Sequence, residues 1–303
     1  MDQIIDIATD GRHLSRDRGF LKVTENGTEI GRTPLDQIAA VIVHAHGTTW
    51  STSLLTELAD RGAPVVLCAA NHAPKSVLMP IDGHHAQGAR MRAQWQAKTP
   101  LSKQAWKQIV TRKVQMQAAA LDSIGEASAR LRMMQRKITS GDASNVEAQA
   151  ARYYWPRMMG PDFRRDSGGR DENALLNYGY TVLRSATSRA VVAAGLHPTI
   201  GLHHSNRGNA FALADDLMEP FRPLVDCAVR SITHSRGRQV DTDAKQTLAR
   251  LIAADLPLGE GVTPVSVALT KLATSLGQSF ETGKLDLALP DPPDPLTLAG
   301  LGS

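Results

Sequence analysis

The chain has 303 residues, 42% hydrophobic and 21% charged, a globular composition with room for about two domains at ~150 residues each. No apolar run approaches the ~20 residues of a membrane span, MDQIIDIATD has neither the basic start nor the long apolar core of a signal peptide, and the two distant cysteines, Cys68 and Cys227, exclude a cysteine zinc site and read as buried thiols of a reducing, cytoplasmic compartment. The net charge of +4 hides an asymmetry: residues 1–83 carry −3, residues 84–137 carry +9 and residues 138–303 carry −2.

Residues 1–80 have the pattern of a β-strand domain. Leu21-Lys22-Val23 and Glu29-Ile30 flank Glu25-Asn26-Gly27-Thr28, and Asn-Gly between such runs signals a hairpin. Residues 39–43 (AAVIV) and 64–67 (PVVL) are β-branched apolar runs and predict buried strands. Between them, residues 51–61 predict a short helix stopped by Gly62. His44, His46 and His72 are isolated and read as structural.

The turn residues 80–83 (PIDG) mark the boundary. The basic segment follows, with Arg90, Arg92, Lys98, Lys103, Lys107, Arg112 and Lys113; only Asp122 and Glu126 oppose it. Such a concentration is the footprint of a phosphate-backbone binder, whereas a merely solvated helix face usually mixes signs. Trp95 and Trp106 either stack on bases or pack inward. Residues 102–137 are rich in helix formers and predict two helices.

In residues 144–155 (SNVEAQAARYYW), Ser144 or Asn145 caps a helix, and Ala150, Ala151, Tyr154 and Trp155 lie at helical offsets from Glu147. Glu147 is therefore on the apolar face and needs either a metal or a cationic partner, for which Arg152, Arg157 and Arg184 are candidates. Residues 160–172 form a polar loop whose Arg164, Arg165 and Arg170 touch phosphates or stay solvated. Residues 173–194 predict one long helix. Residues 195–226 (GLHPTIGLHHSNRGNAFALADDLMEPFRPLVD) place His203 and His204 before Asp215, Asp216 and Glu219. Asp216 and Glu219 are three apart, hence on one helix face, and Pro220 and Pro223 suit a helix start. The loop at 205–209 (SNRGN) can fold His204 back over that start. Locally, Asp215 or Asp216 reads equally well as a simple cap. Further helices are expected to about Ile232, over 242–253 and over 266–280, then a mobile tail over 285–303, rich in Pro and Gly.

The segments NYGY, GLHP and DDLMEPFRP, in that order and spacing, resemble the CRISPR-associated integrase of spacer acquisition, the larger of the two universal adaptation proteins. PIDGHHAQGARMRAQ and YYWPRMMGPDFRRD resemble its type II branch. The resemblance implies an α+β protein: an N-terminal β-strand domain for dimerisation (1–80), then a C-terminal all-helical catalytic and DNA-binding domain (84–284). It implies a metal-dependent DNA endonuclease and integrase whose Mg²⁺ or Mn²⁺ site falls on Glu147, His204 and Glu219, with Asp216 either reaching the metal or supporting the site. His204 rather than His203 matches, being third after Gly201. The implied partners are double-stranded DNA, as prespacer and CRISPR repeat, a second copy of the chain, and the smaller adaptation protein in a heterohexamer.

The residue chemistry agrees with that implication. Two carboxylates and an imidazole offer O,N ligation suited to Mn²⁺ and, less ideally, Mg²⁺. The expected DNA grip is Arg90, Arg92, Lys103, Lys107, Arg112, Lys113, Arg164 and Arg165, which would be indifferent to sequence. Two other classes fit the same residues: a non-catalytic DNA-binding scaffold and a general metal-dependent nuclease.

Overall fold

A computed structural model describes residues 3–69, 74–81, 83–204, 206 and 208–302. His72, Asp82 of the boundary turn, and Ser205 and Arg207 of the SNRGN loop lie outside the described residues.

The N-terminal part contains β1 (Gln3–Ile7), β2 (Arg12–Asp17), β3 (Phe20–Glu25), β4 (Thr28–Pro34), β5 (Ile38–Val43), β6 (Thr49–Trp50), α1 (Thr52–Asp60), β7 (Val65–Cys68) and β8 (Pro74–Leu78). They form two four-stranded sheets, β1-β5-β7-β8 and β4-β3-β2-β6. The hairpin sits where Asn-Gly requires it: Glu25 pairs with Thr28, and Asn26 and Gly27 both take positive φ, 50° and 81°. β5 is apolar throughout because both of its faces are covered. Ile38, Val41 and Val43 pack with Leu54 and Leu58 of α1, while Ala39 and Ile42 belong to the core of the helical part. The boundary at residues 80–83 therefore divides the chain but not the packing.

The helical part contains α2 (Gln87–Trp95), α3 (Thr99–Ser123), α4 (Ala129–Met134), α5 (Val146–Met159), α6 (Glu172–Ala193), α7 (Ala212–Met218), α8 (Arg222–Ser235), α9 (Thr242–Arg250), α10 (Val265–Thr282) and α11 (Pro295–Ala299). A two-stranded hairpin, β9 (Asp255–Leu258) with β10 (Gly261–Pro264), interrupts this otherwise helical half. α6 is the axis, touched by β5, α7, α8, α9 and α10. Gly179 permits the approach of α8: a Cβ there would stand 2.5 Å from Val225 Cγ1. No described helix is long and apolar enough to cross a membrane.

Residues 285–302 are not the mobile tail their composition suggests. Leu285, Leu287 and Leu289 pack on the core, Asp294 caps α11 by accepting from Leu296 and Thr297 N–H, and Leu298 is buried. Proline content lowers the entropy lost on ordering, and alternate leucines supply a face to bury. Leu298→Ala should lower unfolding free energy by about 2–4 kcal/mol in urea titrations; a mobile tail would give no shift.

Candidate active site

The break between α7 and α8 builds the site. Pro220 lies in a 3₁₀ turn, Glu219–Phe221, and Pro223 in the first turn of α8, where missing N–H groups cost little. The chain tightens there and turns Glu219 inward toward α3. Every residue of α7 and of this turn is buried, acids included. Neither Asp215 nor Asp216 is a cap: the N-cap is Phe211, and both acids lie within the helix.

Each of these acids has found a partner. Asp215 is held by Arg184 Nε at 2.6 Å and Asn209 Nδ2 at 2.9 Å. Asp216, 0% exposed, gathers the histidine loop. Leu202 N–H donates to its Oδ2 at 2.6 Å, His203 N–H to Oδ2 at 3.0 Å, and His204 Nδ1 stands 2.5 Å from Oδ1. Gly201 makes this possible, since a Cβ there would lie 2.7 Å from His204 O and 2.9 Å from Asp216 Oδ2. A carboxylate only accepts, so the shared proton sits on Nδ1 and Nε2 is the nitrogen left for chemistry. The Asp216 hydrogen bond holds the His204 pKa above its ordinary value despite partial burial, and the charges of Asp216, Glu219 and Glu147 add to this. His203 is turned away and stacks flat on Trp106 at 4.4 Å.

Glu147 enters from the first turn of α5. Asn145 caps that helix in the left-handed region (φ 51°), and Asp142 accepts from Val146 and Glu147 N–H, both at 2.9 Å. The acid faces inward as the spacing predicts, but its partner is none of the arginine candidates. It is Lys113 of α3, whose Nζ lies 2.5 Å from Glu147 Oε1 and 2.5 Å from Glu219 Oε2. Glu219 Oε1 lies 2.8 Å from Arg222 Nε. Burial acts to raise the Glu219 pKa, but Arg222 and Lys113 outweigh it and hold the group below the usual carboxylate value.

Glu147 and Glu219 thus meet around one ammonium, with His204 near enough for both charges to act on it. Among the described residues no group of three or more acid, histidine or cysteine side chains is arranged to hold a metal ion. The donor set still fits a divalent ion. Two carboxylate oxygens already share a cation, and an imidazole whose other nitrogen is bound to a carboxylate is the usual form of a metal-ligating histidine. Both oxygens of Asp216 accept from the loop, so the acid orients His204.

A cavity of about 240 Å³ opens beside this cluster, walled by Lys113, Gln117, Trp155, Tyr180, Arg222 and Asp226. Sequence reasoning did not single out Asp226, which accepts from Tyr154 OH at 2.9 Å and Tyr180 OH at 2.5 Å. Two inward tyrosines at helical spacing from other buried residues were the available signal, since a buried phenol needs a partner.

The basic residues divide. Arg92, Lys103 and Arg164 are exposed, and Lys107 is half-buried. Four others are not a free phosphate grip, a correction to the expectation from charge. Arg90 NH1 donates to Ala194 O at 2.8 Å and Nε faces Glu281. Arg112 pairs with Asp291, and Lys113 with the two glutamates. Arg165 donates to Asn173 and Asn177 and faces the Tyr180 ring at 5.3 Å. Trp95 is 76% exposed, while Trp106 packs inward.

A strand-rich part packed on a mostly helical part, with two acids held on one ammonium and an imidazole beside them, defines an α+β protein built around a cation-holding centre. The sequence profile of the family described as CRISPR associated protein Cas1 matches residues 5–252, and the chain belongs to that family. It is 34% identical over 281 residues to the CRISPR-associated endonuclease Cas1 of Neisseria meningitidis serogroup C, covering 91% of this chain and 90% of that one. A second relative, CRISPR-associated endonuclease Cas1 2 of Pyrobaculum aerophilum, is 28% identical, with 91% and 98% covered. Among solved structures, a casposase bound to integration product superposes with a TM-score of 0.80 at 18% identity, covering 99% of this chain and 94% of that one. A chain of a Cas6-RT-Cas1–Cas2 complex gives 0.73 at 18% identity, covering 95% of this chain and 36% of that one. At such identities the structural likeness is one of fold.

Burial pushes the Asp226 carboxyl up from 3.8 to about 6, against the two tyrosine hydrogen bonds and the charges of Arg222 and Arg165. The folded protein then binds the extra proton across that interval, so this group's contribution to stability falls as pH rises from about 4 to 6. Relative to Asp226→Asn, the unaltered protein should lose up to about 1.4 kcal/mol per pH unit in that window. Denaturation at stepped pH checks this; parallel curves for the two proteins would contradict it.

Proposed function

We propose that the chain is a metal-dependent DNA endonuclease and integrase of CRISPR adaptation, inserting DNA fragments as new spacers into a CRISPR array. The observation that carries the proposal is the meeting of Glu147 and Glu219 around one ammonium, with His204 oriented beside them. The relatives named as CRISPR-associated endonucleases, and the casposase fold neighbour bound to integration product, support it.

The residues that would hold Mg²⁺ or Mn²⁺ are Glu147, Glu219 and His204 Nε2. When bound, a divalent ion lowers the pKa of a DNA 3′-hydroxyl and neutralises charge on the phosphodiester. The reaction is a transesterification: the 3′-oxygen forms a new bond to phosphorus, the bond to another 3′-oxygen breaks, and the proton passes from one oxygen to the other. Asp216 keeps His204 Nε2 facing the reacting groups, to ligate or to take part in that proton movement. Arg222 and Lys113 favour the Glu219 carboxylate against the effect of its burial. No covalent protein nucleophile is needed.

Arg92, Lys103, Lys107 and Arg164 are the proposed phosphate contacts, and a grip on the backbone alone suits a protein that accepts arbitrary spacers. The N-terminal domain carries net negative charge and is proposed to mediate a cytoplasmic homodimer. Two such dimers would clamp a dimer of the smaller adaptation protein into a heterohexamer, which fixes the distance between the two cut repeat strands. The Cas6-RT-Cas1–Cas2 fold neighbour and a TtCas1–DNA complex, with a TM-score of 0.55 and 16% identity, support DNA and a second protein as partners.

A plasmid integration assay with the smaller partner, a short duplex and Mn²⁺ tests the activity. Glu147→Ala, His204→Ala and Glu219→Ala should each reduce strand joining by at least about 100-fold. Joining that survives EDTA would remove the metal, and partner-independent DNA degradation would indicate a general nuclease.

Binding measured against salt separates the two groups of basic residues. Arg92→Ala, Lys103→Ala and Lys107→Ala should each flatten the slope of log affinity against log salt by about 0.9 per lost phosphate contact. Arg112→Ala should leave the slope unchanged, and equal effects from Lys103 and Arg112 would contradict the division.

A further inference from the structure

Lys113 brings a charge to a place where a DNA-gripping helix has no use for one. Its side chain is 12% exposed. It donates a hydrogen bond to Glu147 Oε1, while its contact with Glu219 Oε2 is one of charge, that oxygen being buried without an aligned hydrogen bond. Two carboxylate oxygens on one cationic centre is also how two acids hold a divalent ion. One turn along α3, Gln117 is 3% exposed, and its Oε1 is buried with no hydrogen-bond partner among the described residues. Residues i and i+4 share a helix face, and Lys113 and Gln117 both line the cavity of about 240 Å³.

We propose that Lys113 is a tethered, displaceable cation: it holds Glu147 and Glu219 together without metal, and yields to a divalent ion by swinging along α3 to Gln117 Oε1. The proposal rests on the metal-site reading above. An unpaired buried acceptor is costly, so Gln117 Oε1 marks a position prepared for a donor. The nearby Asp226 carboxylate lends the same position negative character. In the metal-free protein the ammonium prevents two inward acids from repelling each other, and so keeps α3, α5 and the Glu219 turn assembled. In the metal-bound protein its charge stays in the site, beside the cavity and out of the ion's coordination sphere. No bond is made or broken in the exchange.

Mn²⁺ titrated into the full-length protein tests this by electron paramagnetic resonance of free Mn²⁺ alongside thermal unfolding. Lys113→Met removes the internal competitor. It should bind Mn²⁺ about tenfold more tightly, roughly the factor for one charge-assisted hydrogen bond no longer displaced. Its metal-free Tm should fall below that of the unaltered protein, and saturating Mn²⁺ should raise it by more. Gln117→Leu loses no hydrogen bond on folding and keeps the test open if the lysine variant does not fold. It should bind Mn²⁺ more weakly, by about threefold or more, because the displaced ammonium has lost its acceptor. Unchanged or weaker binding by a folded Lys113→Met protein, or unchanged binding by Gln117→Leu, overturns the proposal and leaves the metal site standing. Absence of Mn²⁺ binding in the unaltered protein as well would remove the metal site itself.

Discussion

Carboxylates buried in a helical core are the constraint on which the rest of this structure depends. Asp215, Asp216, Glu219 and Asp226 are each 6% exposed or less, within three turns of chain. A buried charge is tolerated only with partners, and these acids draw theirs from several other segments of the chain. Arg184 comes from α6, the 202–204 amides from the loop before α7, Lys113 from α3, and Tyr154 and Tyr180 from α5 and α6. The acids therefore fix the relative placement of the helices as firmly as the apolar contacts do. Removal of one partner would leave a buried charge unpaired, at a cost of several kcal/mol.

The same constraint prepares the site for chemistry. Asp216 organises three successive residues of the histidine loop and sets the orientation of the imidazole before any ligand arrives. Glu147 is aimed by the Asp142 and Asn145 contacts at the start of α5. Positions set by packed elements and second contacts hold a geometry better than free loops do. The sheet contributes at a distance: β5 shares its faces between the two cores, so the strand domain braces α6 rather than hanging from a linker.

What could be read from sequence was what neighbours in sequence decide. The Asn26-Gly27 hairpin, the long helix ending near Ala193 and the inward face of Glu147 follow from turn chemistry and from a 3.6-residue period. Partners across the chain were not legible. An acid at an inward position predicts a cation but not which one, and Lys113 lay inside a segment that charge alone assigned to DNA. Arg112 was assigned the same way, although its acid, Asp291, stands 179 residues away. Charge density names a segment; side-chain direction, set by packing, decides which of its members reach solvent. The tail follows the same rule: its proline content suggests mobility, but its alternate leucines give it a face to bury.

Anomalous diffraction from crystals grown with Mn²⁺ tests most directly the proposed sharing of one divalent ion by Glu147, Glu219 and His204. The expected result is a single strong peak within bonding reach of a Glu147 oxygen, a Glu219 oxygen and His204 Nε2, with Lys113 Nζ moved out from between the acids. A peak held by other residues, or saturating Mn²⁺ with Lys113 still bridging Glu147 and Glu219, would contradict the account.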